Sequence, residues 1–149
     1  MSDNETLEQK WQRLSSEVGK TYDADVILYS GDIEDFTVDN LIRIAKRSDR
    51  SKNVVLMLAT RGGSPDAAYR MARCLQLQYE KFVIYIYGTC KSAGTIVAIG
   101  AHEIILSDFG EFGPLDVCPS GHGGSANRAT EPGIEPRAAS LRLCLYSPG

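Results

Sequence analysis

Apolar residues near the start of the chain fall at helical spacing. Leu7, Trp11, Leu14 and Val18 predict an amphipathic helix over 6–18, with Gly19 as its stop. The pattern then shortens. The run "DVILYSG" predicts a strand over 26–29, and Phe36, Val38, Leu41, Ile42 and Ala45 restore a helical period over 36–46. "NVVLMLATRGG" is a continuous apolar run ending in Gly-Gly, the pattern of a strand buried on both faces of a parallel sheet. A helix over 64–79 follows. Pro65 sits where a first turn accepts proline, and Asp66 suits the positive end of the helix dipole. "KFVIYIYG" predicts the next strand, 92–100 the next helix and "HEIILS" the strand after it; "GEFGPLDV" reads as a turn running into a last short strand. Strand and helix alternate through short connections, which predicts an α/β fold with a largely parallel sheet and right-handed crossovers.

The pattern fails after Val117. Residues 118–149 hold five Gly, four Pro and no Lys, and show no apolar periodicity before "LRLCLY". Such a segment buries too little surface to offset its ordering entropy. Three parts are therefore expected: an N-terminal helix and linker (1–24), one folded domain (25–117) and a disordered or aberrant tail (118–149). The abrupt onset of the last suggests a truncated or out-of-frame C-terminus.

Bulk properties narrow the function. The net charge of -3 leaves no basic footprint, so no nucleic-acid partner is expected. The polar opening "MSDNETLEQKWQRLSSEVGK" has no apolar segment that would serve as a signal peptide. The longest apolar stretch, 82–101, is interrupted by Lys91, Ser92 and three glycines, and reads as a buried strand and helix rather than a membrane span. Cys74, Cys90, Cys118 and Cys144 show no metal spacing, so free thiols in a reducing cytoplasm are expected, with no metal and no cofactor.

Two turns carry candidate chemistry. Gly62 and Gly63 follow one strand, and Ser92 follows the next at the start of a helix. Ligands bind at the carboxyl ends of parallel strands. A Gly-Gly turn there leaves backbone N–H groups accessible, and the N–H of Ala93 at a helix start favours developing negative charge. One amide from each turn could grip one carbonyl oxygen beside the Ser92 hydroxyl. Either turn alone has a structural reading: serine is a common N-cap, and Gly-Gly-Ser-Pro is a good strand-to-helix turn. Their pairing in successive βα units favours a site.

"TRGGSPDAA" resembles the Gly-Gly oxyanion turn of the Clp protease and signal peptide peptidase A families. "KSAGTIVAIGAHEIILSDFGEFGPLDV" resembles their Ser-x-Gly helix and the strand and turn that follow, with the serine dehydrogenase proteinase-like group nearest in pattern. The likeness covers roughly 25–117. It implies a Clp/crotonase-type spiral of ββα units, peptide-bond hydrolysis by Ser92 with Gly63 and Ala93 as oxyanion donors, a peptide or protein substrate, and a homo-oligomer. The general base is not visible. The Clp-type histidine would fall near Pro114 or Leu115, where there is none, and no lysine follows Lys91 to serve as in signal peptide peptidase A. Asp116 is the one titratable side chain near the expected place; His102 lies too far along its helix, and His122 lies in the tail. Two other functions fit the same turns: a non-catalytic Clp-fold protein that binds peptides or partners, and a crotonase-like acyl-CoA enzyme, which has no need of Ser92.

Overall fold

The structure is a computed structural model that describes residues 5–47 and 49–115, and 140–144 as backbone. Thr6 opens the first helix, α1 (Leu7–Tyr22), with a reciprocal capping box: its hydroxyl accepts from Gln9 N at 3.2 Å and its own N–H donates to Gln9 Oε1 at 2.9 Å. Gly19 does not stop this helix. It is buried inside it, and the stop is Asp23 in a left-handed conformation, with its N–H donating to the Gly19 carbonyl.

The domain then runs β1 (Ala24–Ser30), α2 (Asp35–Ala45), β2 (Asn53–Thr60), α3 (Pro65–Gln78), β3 (Lys81–Cys90), α4 (Ala93–Ile99), β4 (Glu103–Leu106) and β5 (Glu111–Phe112). Ser64 caps α3 by accepting from Ala67 N at 3.2 Å, with Pro65 at the first helical position. A further strand, β6 (Ser140–Cys144), lies in the segment expected to be a tail; the remainder of that segment lies outside the described residues.

The sheet order is β4-β3-β2-β1-β6, with β5 pairing to β3 beyond β4. All pairings are parallel except that of β6 with β1. Because β1 to β4 are laid down in one direction, right-handed crossovers bring α2, α3 and α4 to the same face. There Ile27 and Tyr29, Val54, Leu56 and Leu58, and Phe82, Ile84 and Ile86 pack against Leu41, Met71, Leu75 and Val97 in the main core. The alternate residues Val55 and Val83 face the other side, where Val18 of α1 meets them. Among the described residues no helix is long and apolar enough to cross a membrane.

A buried polar knot closes the amino end of the sheet. Asp25 is fully buried and accepts from Tyr79 Oη at 2.7 Å and Ser51 N at 3.2 Å, with Arg47 Nη2 3.6 Å away. Burial, and then the Asp25 carboxylate at its hydroxyl, pushes the Tyr79 phenol well above its ordinary range.

Candidate active site

At the carboxyl end of β2 and β3 the pairing becomes irregular. Leu58 opposes Ile86, but Thr60 opposes Cys90, so β3 carries two extra residues over this step. The insertion lengthens β3 until Ser92 stands level with the Gly-Gly turn. Lys91 N then donates to Thr60 O at 3.2 Å.

The Gly-Gly turn is held from both sides. Thr60 Oγ1 lies 3.1 Å from both Gly62 N and Gly62 O, and so occupies the Gly62 amide. On the β1 side, Ile33 N donates to Gly62 O at 2.8 Å, and Ser64 N donates to Ile33 O at 2.9 Å. No peptide bond of the described chain is cis. With the Gly62 carbonyl turned to Ile33, the Gly63 N–H therefore points the opposite way, toward the β3 side. Gly62 and Gly63 have φ of 128° and 138°, which L side chains rarely adopt. Space is equally restrictive. A Cβ on Gly62 would sit 2.9 Å from Ser92 Cβ and 3.3 Å from Ser92 Oγ, and one on Gly63 would sit 2.3 Å from Ile33 O. The first of these distances also puts the two turns face to face.

Ser92 stands in the N-cap position of α4, yet its side chain makes no capping hydrogen bond. Its backbone has φ 51° and ψ -118°, a sparsely populated region for a residue with a side chain, which costs about 1–3 kcal/mol. The turn is fixed by Gly94 N donating to Lys91 O at 3.0 Å and Thr95 N donating to Ser92 O at 2.9 Å. The loop after β5 closes over it: Gly113 N donates to Cys90 O at 2.9 Å, Thr95 Oγ1 to Gly113 O at 3.0 Å, and Ser92 N to Pro114 O at 3.4 Å. Gly94 sits against Thr60, where a Cβ would meet Thr60 Cγ2 at 2.5 Å.

The two candidate donors differ in access. Gly63 is exposed, whereas Ala93 is 1% exposed. As the first residue of α4, Ala93 has no intrahelical acceptor for its N–H.

The other titratable groups nearby are committed elsewhere. Lys91 Nζ pairs with Glu111 Oε2 at 3.2 Å, and its stem lies along Gly113. His102 is at the far end of the sheet, its Nδ1 accepting from Phe82 N at 2.9 Å, about 26 Å of strand away from Cys90. Cys90 is buried, and desolvation raises its thiol to about 11, so it is no competing nucleophile at neutral pH. Asp116, His122 and Cys118 lie outside the described residues. Among the described residues no cluster could hold a metal ion.

The importance of Thr60 escaped the sequence reading. A threonine ending a strand is unremarkable until its hydroxyl is seen to occupy the Gly62 amide and its methyl to meet Gly94.

Comparison with known proteins gives a family. The Clp protease family model matches residues 8–105, more than half of the chain. Among solved structures, a serine-to-alanine variant of the 1510-N membrane-bound stomatin-specific protease is 28% identical, with a TM-score of 0.45, over 56% of this chain and 41% of its own. A lysine-to-alanine variant of that protease in complex with a substrate peptide gives the same score and identity over 39% of its length. An asparagine-to-aspartate variant of ClpP1 from Listeria monocytogenes is 15% identical, with a TM-score of 0.47, over 64% of this chain and 52% of its own. The chain thus spans about half or less of the length of these relatives. It has no match among curated proteins.

Proposed function

We propose that this chain, which belongs to the Clp protease family, carries a serine-type peptidase site of low activity. Ser92 is the nucleophile and the amides of Gly63 and Ala93 are the oxyanion donors. The observation that carries the reading is the state of Ser92: a strained backbone, no capping bond, and a hydroxyl set against a glycine turn that admits no side chain. A serine kept only to cap α4 would take the ordinary extended backbone and bond to the first turn.

In this reading the scissile carbonyl of a peptide lies between the turns. Ser92 Oγ attacks its carbon while the oxygen takes up negative charge against the Gly63 N–H and the positive end of α4. The serine proton needs an acceptor. None lies at Ser92 among the described residues, since Lys91 is paired to Glu111 and His102 is remote. General-base help is worth about 10²–10⁴-fold, and one oxyanion donor about 10²–10³-fold. The missing acceptor and the covered Ala93 amide both point to slow turnover. The acyl-CoA reading has no use for a strained serine, so the peptidase reading is preferred.

A fluorophosphonate probe tests this. Expected is slow, stoichiometric labelling of Ser92 that Ser92→Ala abolishes, with peptide hydrolysis at the edge of detection. No labelling at high probe concentration, or labelling untouched by Ser92→Ala, overturns the reading in favour of a non-catalytic binding protein.

A further inference from the structure

One arginine of the chain stands apart from the rest. Every other arginine whose side chain is described donates to a carboxylate, a side-chain amide oxygen or a main-chain carbonyl. Arg61 is exposed and makes no hydrogen bond or ion pair among the described residues. Its place is at the candidate site. It lies between Thr60, which opposes Cys90, and Gly62, whose Cβ would fall 2.9 Å from Ser92 Cβ. The Arg61 Cα is therefore no more than about 8 Å from the Ser92 Cβ. Thr60, Gly62 and Ala93 are buried, so the exposed rim around Ser92 is formed by Arg61 and Gly63 on one turn and Lys91 on the other.

We propose that Arg61 is a specificity-determining residue of this site, and that it selects peptides bearing a carboxylate within about two residues of the scissile bond. The carboxylate comes from an acidic side chain or from the peptide's C-terminus. The inference rests on the reading of Ser92 as a nucleophile between the two turns.

The charges at the rim favour this assignment. Lys91 is neutralised by Glu111 at 3.2 Å, which leaves Arg61 as the uncompensated cation there. On the β1 side, Asp32 and Glu34 flank the Ile33–Gly63 bridge, so a substrate carboxylate is repelled from that side and drawn to Arg61. Reach agrees with charge. An extended peptide advances about 3.3 Å per residue, so a carboxylate one or two residues from the bond held at Ser92 falls within the span of a long side chain rooted nearby. The planar guanidinium matches a carboxylate with two parallel hydrogen bonds. Because Arg61 has no internal partner to give up, none of that pairing is lost to exchange. A pair left in water changes affinity by about 2–5-fold. One covered by the bound peptide changes it by about 10-fold or more.

The test measures peptide binding to the full chain carrying Ser92→Ala, so that affinity is read without turnover. Three fluorescent peptides of otherwise neutral residues are compared by anisotropy: an amidated peptide with one Glu, its Gln counterpart, and the Gln peptide with a free C-terminal carboxylate. At least one carboxylate peptide should bind about 10-fold tighter than the amidated Gln peptide, by a margin that salt narrows. An advantage for the Glu peptide assigns the side chain as the source, and one for the free carboxylate assigns the terminus. Arg61→Gln should remove the advantage, and Arg61→Glu should transfer it to a peptide with Lys in place of Glu. Equal or absent binding of all three up to about 1 mM overturns the proposal. So does an advantage that survives Arg61→Gln, or one that Arg61→Glu fails to transfer, which would make the loss structural. Fluorophosphonate labelling of the unsubstituted chain separates the two readings. Ser92 labelled with no carboxylate preference overturns the role of Arg61 alone; a carboxylate preference with Ser92 unlabelled overturns the peptidase and keeps Arg61 as the recognition residue of a binding groove.

Discussion

Single residues at the two turns are constrained for different reasons, and substitution should separate them. Gly62 faces Ser92, whose Cβ is held by its own backbone, so the Cβ of Gly62→Ala, starting 2.9 Å from it, must displace the Ser92 turn itself. Gly63 faces backbone, 2.3 Å from Ile33 O, and nothing there can give way without breaking the Ile33 bridge. Both also pay for a positive φ. Gly63→Ala should therefore lose about 2–4 kcal/mol of stability. Gly62→Ala should lose less, about 1–2 kcal/mol, while abolishing probe labelling of Ser92. Urea titration beside labelling rate measures both. Equal stability losses with labelling intact would mean that the turns do not press on each other as the geometry requires. At this scale the sequence was informative about identity and silent about state. "TRGG" and "KSAG" name the residues, but the φ of Ser92 and the missing cap depend on tertiary contacts with Thr60, Pro114 and Gly113 that no local pattern encodes.

Elements are joined at the amino end of the sheet by Asp25, which links β1 to the entrance of β2 through Ser51 and to the end of α3 through Tyr79. A buried carboxylate is costly unless paired, so removing it and removing one partner should differ. Asp25→Ala takes the acceptor from the Tyr79 hydroxyl and leaves Arg47 paired to Asp49 alone, and should cost about 3–5 kcal/mol. Tyr79→Phe leaves Asp25 its other partners and should cost about 1–2 kcal/mol. Denaturant midpoints of the two variants check the order, and a Tyr79→Phe loss as large as that of Asp25→Ala would show the hydroxyl, not the charge, to be the centre of the knot. Element identity was largely legible, because continuous apolar runs such as "NVVLML" and capped amphipathic stretches such as "SPDAAYRMARCL" leave few alternatives. Boundaries were less so. Gly19 reads as a stop, yet it lies within α1, where its low helix propensity is overridden by burial against the sheet. The two extra residues of β3, which set Ser92 level with Gly62, have no sequence signal, since "YIYGTC" fits a plain strand and a bulged one alike.

For the whole molecule, the open question is how far residues 118–149 belong to the fold. Among the described residues, both core clusters are built from residues up to Ala101. The strand β6 nevertheless pairs with all of β1 from Val26 to Ser30 and closes an edge that would otherwise stand open beside the buried β1. A Gly/Pro-rich composition hid this, because one five-residue antiparallel strand adds little to a period count and its partner is more than a hundred residues away. A chain ending at Val117 should therefore still unfold cooperatively, with far-ultraviolet circular dichroism and Trp11 fluorescence giving coincident transitions. Its stability should fall by about 1–3 kcal/mol for the lost edge bonds, and its aggregation should rise because β1 becomes an exposed edge. Ser92 labelling should persist, since Thr60, Gly62, Gly63 and the Gly113–Pro114 loop that hold the turn all remain. Non-coincident transitions in the shortened chain would show that the segment after Val117 completes the domain rather than bordering it.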